Sequence, residues 1–171
     1  MEQMKMNQME PDRTEQTGNR TGNKGRFLAL SRICLNNWHY ISKRILSFNE
    51  DINFFTGHSG SGKSTVIDAM QVLLYANTDG RGFFNKAAAD DSDRSLIEYL
   101  RGMVNIGENN EFSYLRNQNF SSTIVLELKR SDTGACQCVG IVFDVETSAN
   151  DISRRFFWHK GPMWDNAYRT G

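Results

Sequence analysis

The fold is decided by residues 57–65, which read Gly57-His58-Ser59-Gly60-Ser61-Gly62-Lys63-Ser64-Thr65. This run fits the pattern G-x-x-x-x-G-K-[ST] at every fixed position. The glycines allow the backbone to curl so that successive N–H groups point at phosphate oxygens, at the positive end of the following helix. We predict that Lys63 binds the β and γ phosphates of ATP and that the Ser64 hydroxyl coordinates Mg²⁺. Thr65 is predicted to support the loop or the α phosphate, and His58 to be a solvent-facing spacer.

The segments on either side of the loop supply the context that this motif needs. Residues 52–55, Ile-Asn-Phe-Phe, predict a short strand that runs directly into Gly57. After the loop, apolar residues recur at helical spacing, with Asp68 and Gln71 off the stripe formed by Val66, Ile67, Met70, Leu73 and Leu74. The helix is predicted to end within residues 77–80. The alternative is a Gly/Ser-rich turn that meets the pattern by chance, and the order strand, loop, helix disfavours it.

The remaining segments predict one domain behind a polar tail. Residues 1–26 are rich in Gln, Asn, Thr, Gly and charge, so they cannot bury enough apolar surface to offset the entropy of ordering, and we predict a flexible tail. Strands are predicted over residues 27–35 and 45–48. A short helix through residues 96–100 is predicted to begin at Ser92 or Asp93 and to stop at Gly102.

Beyond this helix the apolar period changes to two. Ile124, Leu126 and Leu128 face one way and the residues between them, which are polar except for Val125, face the other, which predicts a strand over residues 122–129. Asp132-Thr133-Gly134 is a hairpin signal, and the returning strand places on one side Val139, Ile141, Phe143 and Val145. A third strand is predicted over residues 155–159, where Phe156, Phe157 and Trp158 are interpreted as strand packing rather than as a base-stacking platform.

Composition excludes several classes of protein. The 171 residues contain 20 Lys plus Arg and 20 Asp plus Glu, so the chain has no overall charge that would mark a general nucleic-acid coat. It has no secretory signal and no apolar stretch of about 20 residues, which predicts a cytoplasmic protein without a membrane partner. Cys34, Cys136 and Cys138 are predicted to be reduced thiols, and the spacing Cys136-x-Cys138 alone does not make a zinc site.

Hydrolysis of ATP also requires an acid that holds Mg²⁺ and a base that positions the attacking water. The candidates within this chain for the Mg²⁺-binding acid and the base are Asp144 and Glu146, which end an apolar run. Strand parity, however, places Asp144 opposite Ile141 and Phe143, in an antiparallel hairpin, whereas a core strand of a P-loop fold follows a helical crossover. Three alternatives stay open: an acid and base outside this chain, a self-contained P-loop kinase or phosphotransferase that uses Asp144 and Glu146, or a module that holds nucleotide without turnover.

Four segments occur in a recognisable order between residues 28 and 162. They read Leu-Asn-Asn-Trp-His-Tyr at 35–40, the loop with its flanks at 54–69, Phe-Asn-Lys-Ala-Ala at 84–88, and Arg-Ser-Leu-Ile-Glu-Tyr-Leu-Arg-Gly at 94–102. In this order they resemble the N-terminal head segment of the SMC/Rad50-like ABC-type ATPases, most of all the MukB-like proteins and the condensin-like subunit of Wadjet plasmid-defence systems. The resemblance implies an α/β P-loop NTPase of the ABC/SMC head type, with a mixed core sheet and an antiparallel β subdomain.

The resemblance also implies partners. Residues 27–171 would be the N-terminal lobe of a head, and a C-terminal lobe would bring the signature motif and the acidic Mg²⁺-binding motif. Two complete heads would enclose ATP and act on DNA, with accessory subunits, in chromosome organisation, repair or plasmid defence. Basic residues after the loop are candidates for contacts with DNA phosphates, namely Arg81, Lys86, Arg94 and Arg101. The alternative is a solvated helix face whose charge neighbouring aspartates cancel.

Overall fold

The computed structural model describes residues 26–75, 96–105 and 112–168. Its elements are, in chain order, β1 (Leu28–Trp38), β2 (Ile41–Ser47), α1 (Lys63–Leu74), α2 (Leu96–Arg101), β3 (Met103–Asn105), β4 (Phe112–Tyr114), β5 (Phe120–Arg130), β6 (Cys136–Glu146) and β7 (Asp151–Lys160). Five strands form one sheet in the order β2-β1-β5-β6-β7, and β3 pairs with β4. No helix within the described residues combines the length and hydropathy that a membrane crossing requires.

Short turns explain the antiparallel order of the sheet. The hairpin predicted at Asp132-Thr133-Gly134 is confirmed, because the N–H of Gly134 donates to the carbonyl of Arg130 over 2.9 Å and β5 and β6 pair directly. β6 and β7 are joined by residues 147–150 in the same way. Between β1 and β5 the register shifts at residues 30–32, so that residues on both sides of this bulge still point their apolar side chains to one face.

The sheet has two differently covered faces. The inner face, which carries Ile33, Leu126 and Phe143, packs against α1 and α2 and forms the main core. The outer face carries Cys34, Val125 and Cys138, and residues 161–168 cover part of it. The helix α2 ends at Gly102, as predicted, where φ is +68°. This division matters for the site, because it determines which carboxylates can lie near the phosphate loop.

Three predictions about the fold are wrong for the described residues. Every strand pairing there is antiparallel, so the mixed core sheet is not found: a parallel neighbour needs a long crossover, and the strands are joined by turns. Residues 52–55 form no strand and stay exposed. The buried face of α1 is rotated from the predicted stripe, since Ile67 and Leu74 are exposed whereas the buried positions are Val66, Asp68, Ala69, Val72 and Leu73.

Residues 161–168 are held on the outer face of the sheet by hydrogen bonds, one of them to the buried carboxylate of Glu127. Arg32 forms a two-pronged ion pair with Glu127, and the N–H of Met163 donates to the same carboxylate over 2.7 Å. Asn36 donates to the carbonyl of Ala167 over 2.6 Å. Burial raises the pKa of Glu127, but the hydrogen bonds from Arg32 and Met163 outweigh burial, and the net pKa is lowered from 4.5.

A pH dependence of stability follows from this carboxylate. Because the pKa of Glu127 is lower in the folded state, its contribution to the free energy of unfolding is complete above the unfolded pKa, 4.5, and is lost as the pH falls through the folded pKa. We expect Glu127→Gln to cost about 3 kcal/mol at pH 7 and to flatten the decline of stability with acid. Urea unfolding of both proteins between pH 7 and pH 3 measures this; parallel pH profiles would contradict it.

Candidate nucleotide-binding site

The predicted phosphate loop is an exposed turn that leads directly into α1. All three of its glycines have positive φ: +147° at Gly57, +78° at Gly60 and +90° at Gly62. A side chain at Gly57 would also place its Cβ 2.7 Å from the Ser61 hydroxyl. Other residues would strain this backbone, whereas glycine permits it. The glycines of the motif therefore lie at the positions where the backbone must curl to bind phosphate.

The Lys63 side chain folds back over the loop and is hydrogen-bonded to its residues. Its Nζ donates to the carbonyls of Gly57 and His58, at 2.7 Å each, and to the Ser61 hydroxyl at 3.2 Å. The ammonium group thus lies over the centre of the turn, held by neutral oxygens at the surface. Phosphate oxygens carry full negative charge and form stronger hydrogen bonds with an ammonium group than carbonyls do. The arrangement fits the predicted role of Lys63 toward the β and γ phosphates.

The start of α1 is suited to an anion. Gly62 is the N-cap residue in a left-handed conformation, no side chain caps the helix, and the first turn contains no acidic residue. The unpaired N–H groups and the dipole at a helix N-terminus attract negative charge. Ser64 and Thr65 follow within this first turn, where the predicted Mg²⁺ ligand and loop support would stand. The residues present therefore fit a nucleotide with Mg²⁺.

An aromatic residue of the sheet fixes the first turn of α1. The indole Nε1 of Trp38 donates to the carbonyl of Thr65 over 2.8 Å. Trp38 is fully buried, with Phe143 at 6.3 Å and Tyr99 at 5.2 Å between ring centroids. One side chain therefore connects β1, β6 and α2 to Thr65 in the first turn of α1. The hydrogen bond between Trp38 and Thr65 joins residues far apart in the chain, and no sequence pattern indicates it.

A buried polar pair joins the two helices. The Tyr99 hydroxyl donates to the Asp68 carboxylate over 2.9 Å, and the Asp68 residue is only 4% exposed. Burial, followed by the charge of Asp68 and this hydrogen bond, raises the pKa of Tyr99. His39 stacks on the Tyr99 ring, 4.2 Å between centroids. The apolar periodicity of α1 placed Asp68 outside the buried stripe, because a pattern search cannot foresee that a partner will satisfy a carboxylate in the core.

Asp144 lies away from the loop. It occupies the outer face, as strand parity predicted, while α1 packs on the inner face. Its carboxylate accepts hydrogen bonds from Ser121 at 2.6 Å and Arg155 at 2.7 Å, and these bonds lower its pKa, although burial opposes them. A shallow cavity of about 380 Å³ lies beside Asp144, Glu146 and Asp151. Within the described ranges, no cluster of three His, Cys, Asp or Glu is arranged to hold a metal ion.

Among the predicted DNA-contacting residues, only Arg101 belongs to the described part of the chain. Its guanidinium lies 3.7 Å from the centre of the Tyr114 ring and donates to the carbonyl of Arg116 and to Asn117. These contacts hold it at the end of α2. The remaining candidates, Arg81, Lys86 and Arg94, fall outside the described residues.

Comparison with known proteins agrees with the geometry of the loop. The family model described as the P-loop containing region of an AAA domain matches residues 30–91, which include most of β1 together with β2, the loop and α1. No curated protein matches the chain. The motif, its curled backbone and this match together indicate that the chain contains a P-loop nucleotide-binding region.

Proposed function

We propose that this chain binds ATP with Mg²⁺ as the N-terminal lobe of an SMC-like ATPase head that acts on DNA. The observation that supports nucleotide binding most strongly is Lys63, whose ammonium group lies over a turn of positive-φ glycines at the start of a helix whose first turn contains no acidic residue. These groups supply positive charge and N–H donors to a polyphosphate, and they supply no acid for hydrolysis.

Exposed apolar side chains beside the loop support the second half of the proposal. The segment that leads into the loop exposes Ile52 by 65% and Phe54 by 85%. Residues 52–55 have the composition of a buried strand, yet they pair with no strand in the described part of the chain. A C-terminal lobe that paired with this segment would cover these side chains and contribute the missing acid and base.

DNA is proposed as the partner because the sequence resembles SMC-like heads and because basic residues follow the loop. Arg101, with Arg81, Lys86 and Arg94, would contact phosphates without reading bases. The complete assembly would contain two such heads and accessory subunits.

The experiment that tests the nucleotide site is a titration of this chain with a fluorescent ATP analogue, with and without Mg²⁺, together with an assay of phosphate release. We expect binding that Mg²⁺ strengthens and no steady turnover. Ser64→Ala should remove the Mg²⁺ dependence, because the hydroxyl ligand is lost. Ser59→Ala, at a variable position of the same loop, is the matched control and should bind like the unmodified chain.

The possible results separate the two parts of the proposal. An absence of ATP binding would contradict the nucleotide site itself. Binding with steady turnover that depends on Lys63 would show a complete enzyme and would contradict the need for a second lobe.

A further inference from the structure

The edge strand β7 presents a stripe of four side chains on the inner face of the sheet. Phe156 lies opposite Ile141 and Trp158 lies opposite Val139, so both rings extend rows of core residues. They are nevertheless 53% and 62% exposed. The prediction that these aromatic residues serve strand packing is therefore wrong for Phe156 and Trp158, and correct for Phe157, which lies on the other face.

Packing on the outer face fixes this alternation. The Phe157 ring lies so close to Gly140 that a Cβ there would be 2.4 Å from it, and the Tyr168 ring is 5.6 Å away. Gly140 thus accommodates Phe157 by having no side chain. Because successive side chains of a strand point to opposite faces, Phe156 and Trp158 must face inward.

The described helices leave these two rings uncovered. The helix α1 lies over β5, in the middle of the sheet, whereas β7 is the edge strand. In the part of the chain that the structure describes, neither Phe156 nor Trp158 makes a ring contact with another aromatic residue. Exposed aromatic pairs of this kind mark interaction surfaces rather than ordinary solvent-facing positions.

Two cations flank the rings on the same face. The stripe, in strand order, is Arg154, Phe156, Trp158 and Lys160. Within the described residues, the side chains of Arg154 and Lys160 form no ion pair. The nearby carboxylates lie on the outer face instead. There Glu146 and Asp151 stand opposite each other in the strand register, and Asp144 forms an ion pair with Arg155. The stripe is therefore positively charged and lacks acidic neighbours on its own face of β5, β6 and β7.

We propose that the stripe on β7 binds single-stranded nucleic acid. Side chains two residues apart on a strand are separated by about 6.8 Å, so Phe156 and Trp158 offer two adjacent ring faces to consecutive unstacked bases. Arg154 and Lys160 stand at the two ends of the stripe, where the phosphates on either side of those bases would lie. Stacking on aromatic rings combined with phosphate contacts gives binding with little sequence preference. This site is independent of the phosphate loop.

Charge distinguishes this occupant from a second copy of the chain. An apolar partner surface would bury Arg154 and Lys160 beside the rings without compensating charge, which is costly. A nucleic-acid strand supplies that charge at regular intervals. A duplex also carries phosphate charge, but its bases are stacked on one another and unavailable to the rings.

The test is fluorescence anisotropy of labelled oligothymidylate and oligouridylate, each of about 12 nucleotides, at about 50 mM salt and without ATP. The two oligomers distinguish DNA from RNA as the source of the strand. We expect Trp158→Ala to weaken binding about tenfold or more, and Trp158→Phe, which keeps a ring, to retain most of the affinity. Arg154→Gln combined with Lys160→Gln should reduce the dependence of log K on log salt by about 1.4.

Trp164→Ala is the matched control. Trp164 is also about half exposed, but it stacks on His159, whose side chain lies on the outer face. The Trp164→Ala variant should therefore bind both oligomers as tightly as the unmodified chain. Melting temperatures confirm that each variant is folded. Equal affinities of the unmodified chain, Trp158→Ala and Trp164→Ala would overturn the proposal, as would a failure of the unmodified chain to bind both oligomers. A dimer in sedimentation that Trp158→Ala converts to monomer would assign the stripe to a second copy and would overturn it as well.

Discussion

Replacing Lys63 by Ala is expected to weaken ATP binding about 100-fold without destabilising the fold. Lys63 is the cation placed over the glycine turn, and its loss removes charge-assisted hydrogen bonds to the β and γ phosphates, each of about 1.5–3 kcal/mol. Its contacts to the carbonyls of Gly57 and His58 are exposed. We therefore expect the free energy of unfolding to change by less than about 0.5 kcal/mol.

The measurement pairs an ATP titration with urea unfolding in the absence of nucleotide. Lys43→Ala is the matched control, because Lys43 is an exposed lysine on β2, outside the loop. It should leave both quantities unchanged. Lys63→Ala with unaltered ATP affinity would exclude the loop as the nucleotide site, whereas a large loss of stability would show that the affinity change arises from unfolding.

Replacing Trp38 by Ala is expected to have the largest effect on stability, a loss of about 3–5 kcal/mol in the free energy of unfolding. Trp38 is fully buried between elements from three parts of the chain, and its indole holds the carbonyl of Thr65. Truncation leaves a cavity at the junction of β1, α1 and α2. Domains of this size are stable by about 5–15 kcal/mol, so the variant should be close to the limit of folding.

Urea unfolding measures this, and two further variants separate packing from hydrogen bonding. Trp38→Phe keeps most of the ring but loses the bond to Thr65, which should cost about 1 kcal/mol beyond the smaller ring. Trp164→Ala removes an exposed tryptophan and should cost far less than Trp38→Ala. A loss below about 1 kcal/mol for Trp38→Ala would contradict the central position given to this residue.

Much of the secondary structure could be predicted from local patterns. The strands β5 and β6 and their turn follow from alternation and from Asp132-Thr133-Gly134. The end of α2 after Arg101 follows from the glycine at position 102, because glycine readily adopts the left-handed conformation that ends a helix. Such signals are local, because neighbouring residues alone determine period, turn type and helix end.

Burial on α1 and β7 could not be predicted in this way. The sequence placed Ile67 and Leu74 in the core and Asp68 outside it, and it assigned Trp158 to strand packing. In the structure α1 turns Asp68 toward Tyr99, and no described element covers Trp158. A hydrophobic pattern identifies a face, but the elements that pack against it decide which members are buried.

The sequence by itself determined the phosphate loop, because a glycine pattern followed by Lys63 and Ser64 specifies local backbone conformation and charge. It also determined the strand order within the hairpins, since turns act over few residues. Only the tertiary structure decided that Asp144 lies across the sheet from α1, that Trp38 holds the first turn of α1, and that residues 52–55 pair with no described strand. These features depend on contacts between residues far apart in the chain, and no local pattern encodes such contacts.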